Sequence, residues 1–419
     1  MAVFNDHNAA IYLKTLKQYG FYQIFFPNGE NIFGWNMKNI YRLSFIALTV
    51  IIQCLIVFGN CGFLIDLEDT IDKTDLFIII FSNIFNYHIL CKVIILMFYR
   101  NKILDLLDVT SLNFLKSEQC LYNIKILYKH RNRVIQRTKL YYNFCMSVII
   151  PWVLYPIVIN LFVANKNDNR RLENIINRRY PMDVNTYNQY YVLFYIIEMI
   201  IAIKSLYLVL MIDILLLSIG WAIIVQYEVL AVTFKNIGHI VNFRKDHDYN
   251  NVVDEDNYKK FKSIIFDQQQ LDLKVKLYFS IMNPIILMHV AINSGLIIML
   301  SNAFIMVIFS TESFSITIVN LFKIGIGIFY LGLMLFLYCY LFDNMNVKRE
   351  SVNIGIYSCN WTKMNLIFKK LLLLTMQVND ANRITMKVSE KKIVNLQLFA
   401  NVLTMSYNII SVMVKTIGK

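Results

Sequence analysis

Apolar residues run in seven long blocks separated by charged connections, at roughly 41–65, 75–99, 141–164, 190–217, 277–305, 314–341 and 391–415. Crossing the ~30 Å hydrocarbon core of a bilayer takes about 20 predominantly apolar helical residues, and every block meets that length. Numbered spans 1 to 7, they predict an all-α membrane protein with seven transmembrane helices. Backbone groups in lipid must satisfy one another within a segment, and with only 5 Pro and 13 Gly the spans read as unbroken helices. No internal repeat is visible.

The connections carry their own patterns. Residues 66–75 are short and acidic. Residues 100–140 are basic, with apolar positions at helical spacing, so spans 2 and 3 are expected to continue beyond the bilayer there. Residues 165–189 form a polar loop with turn signals at Pro181 and Asp183, placed to cover the mouth of a site. Residues 244–260 (RKDHDYNNVVDEDNYKK) read as a weakly ordered linker, followed by a helix from Tyr258 through Phe266 and Leu271 into span 5. Between spans 6 and 7, LIFKKLLLLTM (366–376) is amphipathic and reads as a helix beneath the bundle, between subunits, or on the membrane surface.

Composition agrees with a membrane solvent: 57% hydrophobic and 16% charged residues, where soluble chains carry about half and a quarter. Lys and Arg then set the orientation. The segment before span 1 and the stretches 100–140, 235–276 and 343–392 hold 30 of them, against 8 on the other side of the predicted membrane. The N-terminus is therefore expected in the cytoplasm and the C-terminus outside. The first 40 residues lack the features of a cleaved signal peptide. The expected organisation is a cytoplasmic segment at 1–40, spans 1 to 6 over 41–341, a cytoplasmic region at 342–390, and span 7 with an extracellular end at 391–419. The net charge of +13 is explained by positive-inside bias, without a nucleic-acid partner. Cys54, Cys61, Cys91, Cys145 and Cys339 fall within or at the ends of spans, which argues against a disulfide framework. No zinc-like spacing, P-loop or nucleophile elbow supports an enzyme, a metal or a cofactor.

The last 90 or so residues carry a family resemblance. YLGLMLFLYCYLFDN (330–344) ends a helix in a Tyr-Cys-aromatic run, IGIYSCNW (354–361) contains Tyr-x-x-x-Trp, and KKLLLLTMQ (369–377) forms a Lys-Leu-Leu-Leu-x-Met helix. RITMKV (383–388) and LQLFANVLTMSYNIISVMV (396–414), with its Ser-Tyr pair, complete the series. In order and spacing these resemble the insect odorant receptors, with departures at Phe342, Asp343, Asn344 and Gln377. The 235–276 connection is too short for the enlarged loop of the family's shared co-receptor, so the chain resembles a ligand-tuned subunit. The resemblance implies a heterotetrameric, odorant-gated, non-selective cation channel formed with the odorant receptor co-receptor in dendrites of olfactory sensory neurons. It further implies a ligand pocket in the outer half among spans 2, 3, 4 and 6, an inter-subunit anchor from the cytoplasmic parts of spans 5 to 7, and a pore lined by span 7.

Small hydrophobic volatiles call for a concave, aromatic-lined site with few polar groups. The outer halves supply Phe77, Phe81 and Phe85, then Trp152 and Tyr155, then Phe194 and Tyr195, and finally Phe322, Ile326 and Tyr330. Each competes with ordinary packing. Glu198 and Lys323 lie at similar depth, where charge is costly, and read either as an ion pair joining spans 4 and 6 or as pocket residues. Asp213 and Lys204 lie deeper and are expected to orient span 4 or snorkel. On span 7, Gln397, Asn401, Thr404, Asn408, Ser411 and Lys415 form a polar stripe, while Leu403, Tyr407, Ile410 and Val414 form an apolar one. The resemblance places the constriction at Ile410 and Val414. The polar stripe either lines a vestibule or is buried against spans 5 and 6, with burial the preferred expectation.

A rhodopsin-like receptor would need an extracellular N-terminus and an Asn-Pro-x-x-Tyr motif; Asn283-Pro284 is followed instead by Ile285, Ile286 and Leu287. A transporter would show repeats and broken helices. An insect gustatory receptor shares the architecture, but its Gln-Phe after the final Tyr is absent after Tyr407.

Overall fold

The computed structural model describes residues 31–32, 35–36, 44–45, 47–57, 73–164, 171–176, 180, 182–239, 247–308, 314–389 and 392–417. The N-terminal 30 residues, most of the acidic 66–75 connection, and parts of the 165–189 loop including Pro181 lie outside them.

Among the described residues the fold is all-α apart from two short antiparallel hairpins: β1 (Asn31–Ile32) with β2 (Trp35–Asn36), and β3 (Lys387–Ser389) with β4 (Lys392–Ile393). The helices are α1 (Ala47–Val57), α2 (Lys73–Phe98), α3 (Arg100–Leu106), α4 (Glu118–Tyr122), α5 (Ile124–Ala164), α6 (Val184–Gln189), α7 (Tyr191–Lys235), α8 (His247–Ile308), α9 (Phe314–Tyr357), α10 (Leu366–Ala381) and α11 (Leu396–Ile417). Among the described residues, five helices are long and apolar enough to cross a membrane: α2, α5, α7, α8 and α9. Ala47–Val57 and Leu396–Val412 are shorter apolar segments.

The helices outrun the apolar blocks that announced them. α7, α8 and α9 hold 45, 62 and 44 residues, so at 1.5 Å per residue they reach about 65–95 Å, two to three times the hydrocarbon thickness. Their far halves form a second bundle around an apolar core that includes Phe234, Phe261, Ile264 and Phe368, laced with polar contacts. There the Tyr227 hydroxyl donates to Asp272 at 2.6 Å, Lys348 meets Glu228 at 3.2 Å, and the Gln268 amide donates to Asn379 at 2.8 Å. The predicted linker at 244–260 is corrected here, since α8 is already helical from His247. Glu255 pairs with Lys259 at 2.7 Å, and Asp256 pairs with Lys260. Such i,i+4 pairs, acid first, suit a solvated helix. Span 2 does not run on as one helix: α2 stops at Phe98, and Tyr99 separates it from α3. Span 3 does extend, because α5 begins at Ile124.

α7 is the central post. Its residues Leu208 through Leu216 are all buried, as a helix apolar on every face must be. α9 crosses it so closely that a Cβ on Gly355 would fall inside van der Waals contact of the Ala231 carbonyl. Three residues past the end of α7, Gly238 turns the chain with a φ of 75°, the left-handed conformation that glycine adopts readily. The Asn360 side chain donates to the Gly238 carbonyl at 3.0 Å, tying the end of α7 to the turn after α9. α5 continues through Pro151 and Pro156, and α8 through Pro284.

α10 is capped by Asn365, which accepts from the Phe368 N–H at 2.9 Å. It buries Phe368 and Leu372 and leaves Leu366, Ile367, Leu373 and Leu374 exposed. α11 leans on α8 and α9 through Leu398 and Ser406, with Phe399 against Phe336.

Candidate functional site

A cavity of about 130 Å³ lies among α2, α5, α7 and α9, similar in size to the ~150 Å³ apolar cavities that take up benzene. Phe81, Phe85, Trp152 and Tyr330 supply its rings. Phe81 stacks on Phe85 at 5.8 Å, Trp152 lies 6.1 Å from Phe81, and Tyr330 meets Phe85 edge-on at 6.4 Å. The space exists because small residues face those rings: Ser82, Ala202, Ser205 and Gly327 are all in the wall. A Cβ on Gly327 would stand only 3.3 Å from Leu300 and 3.7 Å from Trp152. One edge is polar. Ser205 donates to the Asn86 side-chain oxygen at 2.6 Å, and the Asn86 amide donates to the Ser82 carbonyl at 2.7 Å.

Ile175 and Ile176, from the long polar loop, close the cavity. Both are buried, although loops usually stay at the surface, and two intramembrane charges hold them there. Lys323 donates to the Ile175 carbonyl at 2.9 Å, and the Ile176 N–H donates to Glu198 at 2.8 Å. Lys323 also sits over the rings of Tyr155 (4.1 Å) and Trp152 (5.0 Å). Asn160 exchanges two 2.9 Å hydrogen bonds with the Glu173 backbone. Past the roof, Asp183 caps α6 by accepting from the Thr186 N–H at 3.1 Å. Hydrogen bonds from Thr186 hold its carboxyl below the usual value.

The remaining expected pocket residues lie elsewhere. Phe77 is half-buried outside the lining. The Tyr155 hydroxyl donates to Asn320. Phe194 joins Tyr180 and Tyr187 in a separate cluster, with ring centroids 4.2 and 5.4 Å away. Tyr195 donates to the Val153 carbonyl at 2.8 Å. Ile326 is half-buried, and Phe322 is 60% exposed on the outside of the bundle. Eight residues along a helix rotate a side chain by about 80°, which turns Phe322 away from the cavity that Tyr330 faces.

Sequence reasoning missed a buried polar network two turns further along α2. Lys92 bonds Asp213 on α7 at 3.2 Å, and Tyr338 on α9 donates to the same carboxylate oxygen at 2.5 Å. The His289 ring of α8 packs 4.8 Å from Tyr338 and 5.5 Å from His88, and Asn293 lies 3.0 Å from His289. Asp213 therefore joins helices through an ion pair. The signal was present in the sequence as opposite charges in spans 2 and 4.

On α11, Tyr407 is 69% exposed, Ile410 and Ser411 are half-buried, and Val414 is exposed. The expectation that the polar stripe is buried against α8 and α9 is corrected. Gln397, Asn401, Thr404, Asn408 and Lys415 are all exposed in this chain, and Gln397 bonds Asn401 at 3.1 Å. The inward face is set instead by Leu398, Val402, Ser406 and Ile409, the side with the greatest burial.

Comparisons with known proteins converge on one fold. The sequence model described as "7tm Odorant receptor" matches residues 74–407. The structure of the insect olfactory receptor OR5 from Machilis hrabei is similar with a TM-score of 0.70 at 12% identity, covering 96% of this chain and 98% of that one. The structure of that receptor in complex with eugenol gives 0.71 at the same identity and coverage. No curated protein matches in sequence.

Proposed function

The chain belongs to the 7tm odorant receptor family, a family of multi-pass membrane receptors rather than enzymes, and we propose that it is the odorant-binding subunit of a cation channel. In this reading it assembles with the odorant receptor co-receptor into a heterotetramer in the dendritic plasma membrane of olfactory neurons. Seven spans leave its N-terminus in the cytoplasm and its C-terminus outside.

The observation that carries the proposal is the aromatic-lined cavity. Four aromatic rings and several aliphatic side chains bound a space with one polar edge at Asn86 and Ser205, the composition suited to a small, mostly apolar ligand with one hydrogen-bonding group. Eugenol, which is bound to the olfactory receptor of similar fold, is of that chemical type. Occupancy favours whichever arrangement of α2, α5, α7 and α9 fits the ligand better, and a ligand shifts an equilibrium only by such differential affinity. α11 packs on α9, so the same shift reaches the pore wall. Its exposed face, with Tyr407, Val414 and the polar stripe, then meets the pore and the neighbouring subunits, and Ile410 with Val414 forms the apolar constriction. The exposed leucines of α10 complete the inter-subunit anchor beneath.

The test is whole-cell recording from cells expressing the chain with and without the co-receptor, against a panel of volatile phenols, esters, alcohols and ketones. The expected result is a dose-dependent cation current that needs both chains. Surface-expressed receptor silent to the whole panel, or current from the chain through a G-protein cascade, overturns the proposal.

A further inference from the structure

A second cavity, of about 490 Å³, lies between α5 and α7 on the side away from α2 and α9. Its lining is apolar except for the tyrosines 142 and 207. Met146, Ile150, Leu154 and Ile203 stand at its rim, exposed where the bilayer would lie. Ile149 and Leu206 belong to both cavities. The two spaces are thus separated by a wall one side chain thick.

The other approach to the inner cavity is roofed. Ile175 and Ile176 are held down by buried Lys323 and Glu198, so displacing them costs those bonds. The lateral wall is held more loosely. Pro151 has no N–H to return to the Ser147 carbonyl, so the turn of α5 bearing Ile149 lacks one rung of the helical ladder. Neither Ile149 nor Leu206 is fully buried, and an aliphatic side chain moves aside by a rotamer change, far faster than a loop refolds. Apolar solutes also concentrate in the hydrocarbon against which this groove opens.

We infer that the groove between α5 and α7 is a portal through which membrane-dissolved apolar molecules enter the inner cavity, with Ile149 and Leu206 as its gate. The inference rests on the cavity being the odorant site, but access is measured separately from binding. Ser205→Cys, and independently Ala202→Cys, places a thiol in the inner wall of the full-length chain, co-expressed with its co-receptor in intact membranes. The rate of modification at that position by the lipid-soluble reagent N-phenylmaleimide is read by mass spectrometry of the peptide. Ile203→Trp and Leu154→Trp then fill the groove from positions 52% and 50% exposed, which line the outer cavity alone. Each is expected to slow modification about tenfold, a change of ~1.4 kcal/mol in the entry barrier. A charged, membrane-impermeant methanethiosulfonate should leave both thiols untouched. Unchanged maleimide rates in both tryptophan variants, or fast reaction with the charged reagent, overturn the portal. Failure of the binding reading shows differently: Phe85→Ala would then leave odorant dose responses unmoved, whatever the labelling rates.

Discussion

Lys92 of α2 and Asp213 of α7 meet at 3.2 Å with side chains 3% and 0% exposed. Removing one partner of such a pair strands a buried charge and costs ~3–5 kcal/mol, whereas replacing both with apolar residues is often neutral. Asp213→Asn or Lys92→Met alone should therefore sharply reduce folded receptor, and Lys92→Met with Asp213→Leu should recover most of it. Size-exclusion profiles and thermal stability in detergent read this out. Single variants as stable as the parent would show that the pair contributes nothing.

The cavity makes a sharper distinction within α9 than aromatic content does. Tyr330→Ala or Phe85→Ala removes a wall and is expected to shift the half-maximal odorant concentration about tenfold or more, matching the ~1.4 kcal/mol or more lost with a large ring contact. Phe322→Ala, on the outer surface, should leave it unchanged. An equal shift in all three would place the binding site elsewhere.

Orientation can be read at Asn360, in the sequon Asn360-Trp361-Thr362. With the far ends of α7 to α9 in the cytoplasm, Asn360 stays unglycosylated and an N-terminal epitope is hidden on intact cells. A glycan at Asn360 in a protease-protection and deglycosylation assay would invert the topology.

α11 offers paired tests of the pore. Ile410→Ser or Val414→Ser brings hydroxyls to the proposed apolar constriction and should raise basal current or alter selectivity, because such constrictions exclude ions by dewetting. Asn401 and Asn408 are exposed, so Asn401→Ala and Asn408→Ala should leave surface level near normal and change conductance instead. Wild-type basal current and selectivity in both serine variants would remove Ile410 and Val414 from the gate.

Gly355 tests the crossing of α7 and α9. Gly355→Ala presses a methyl group against the Ala231 carbonyl and, as overpacking, is expected to cost ~1–3 kcal/mol. Surface biotinylation should show the variant retained inside the cell. Normal surface level would mean that the crossing relaxes freely.

The hydrophobic blocks were legible because lipid imposes length and apolarity directly on sequence, and Phe81, Phe85, Trp152 and Tyr330 became candidates once the family resemblance had pointed to an apolar ligand among these spans. The cavity itself was not legible. It depends on Ser82, Ala202, Ser205 and Gly327, and a void is written in what is missing from a wall. Helix ends were hidden for a related reason: beyond the bilayer, α8 is supported by ion pairs such as Glu255–Lys259, so its solvated start resembles a linker. The Lys92–Asp213 pair was visible only as two charges 121 positions apart, and sequence distance says nothing about which helices touch.

α9 runs without proline or interruption from Phe314 to Tyr357, with Tyr330 at the cavity and its far end beside the cap of α7. The 27 residues from Tyr330 to Tyr357 measure about 40 Å at 1.5 Å per residue. A stiff rod of that length is a lever. Tilting it by about 3° at the level of the ligand swings the far end through about 2 Å, the scale of helix shifts that repack subunit interfaces. In the channel proposed above, a molecule too small to push subunits apart would govern them by leaning on one end of a long arm.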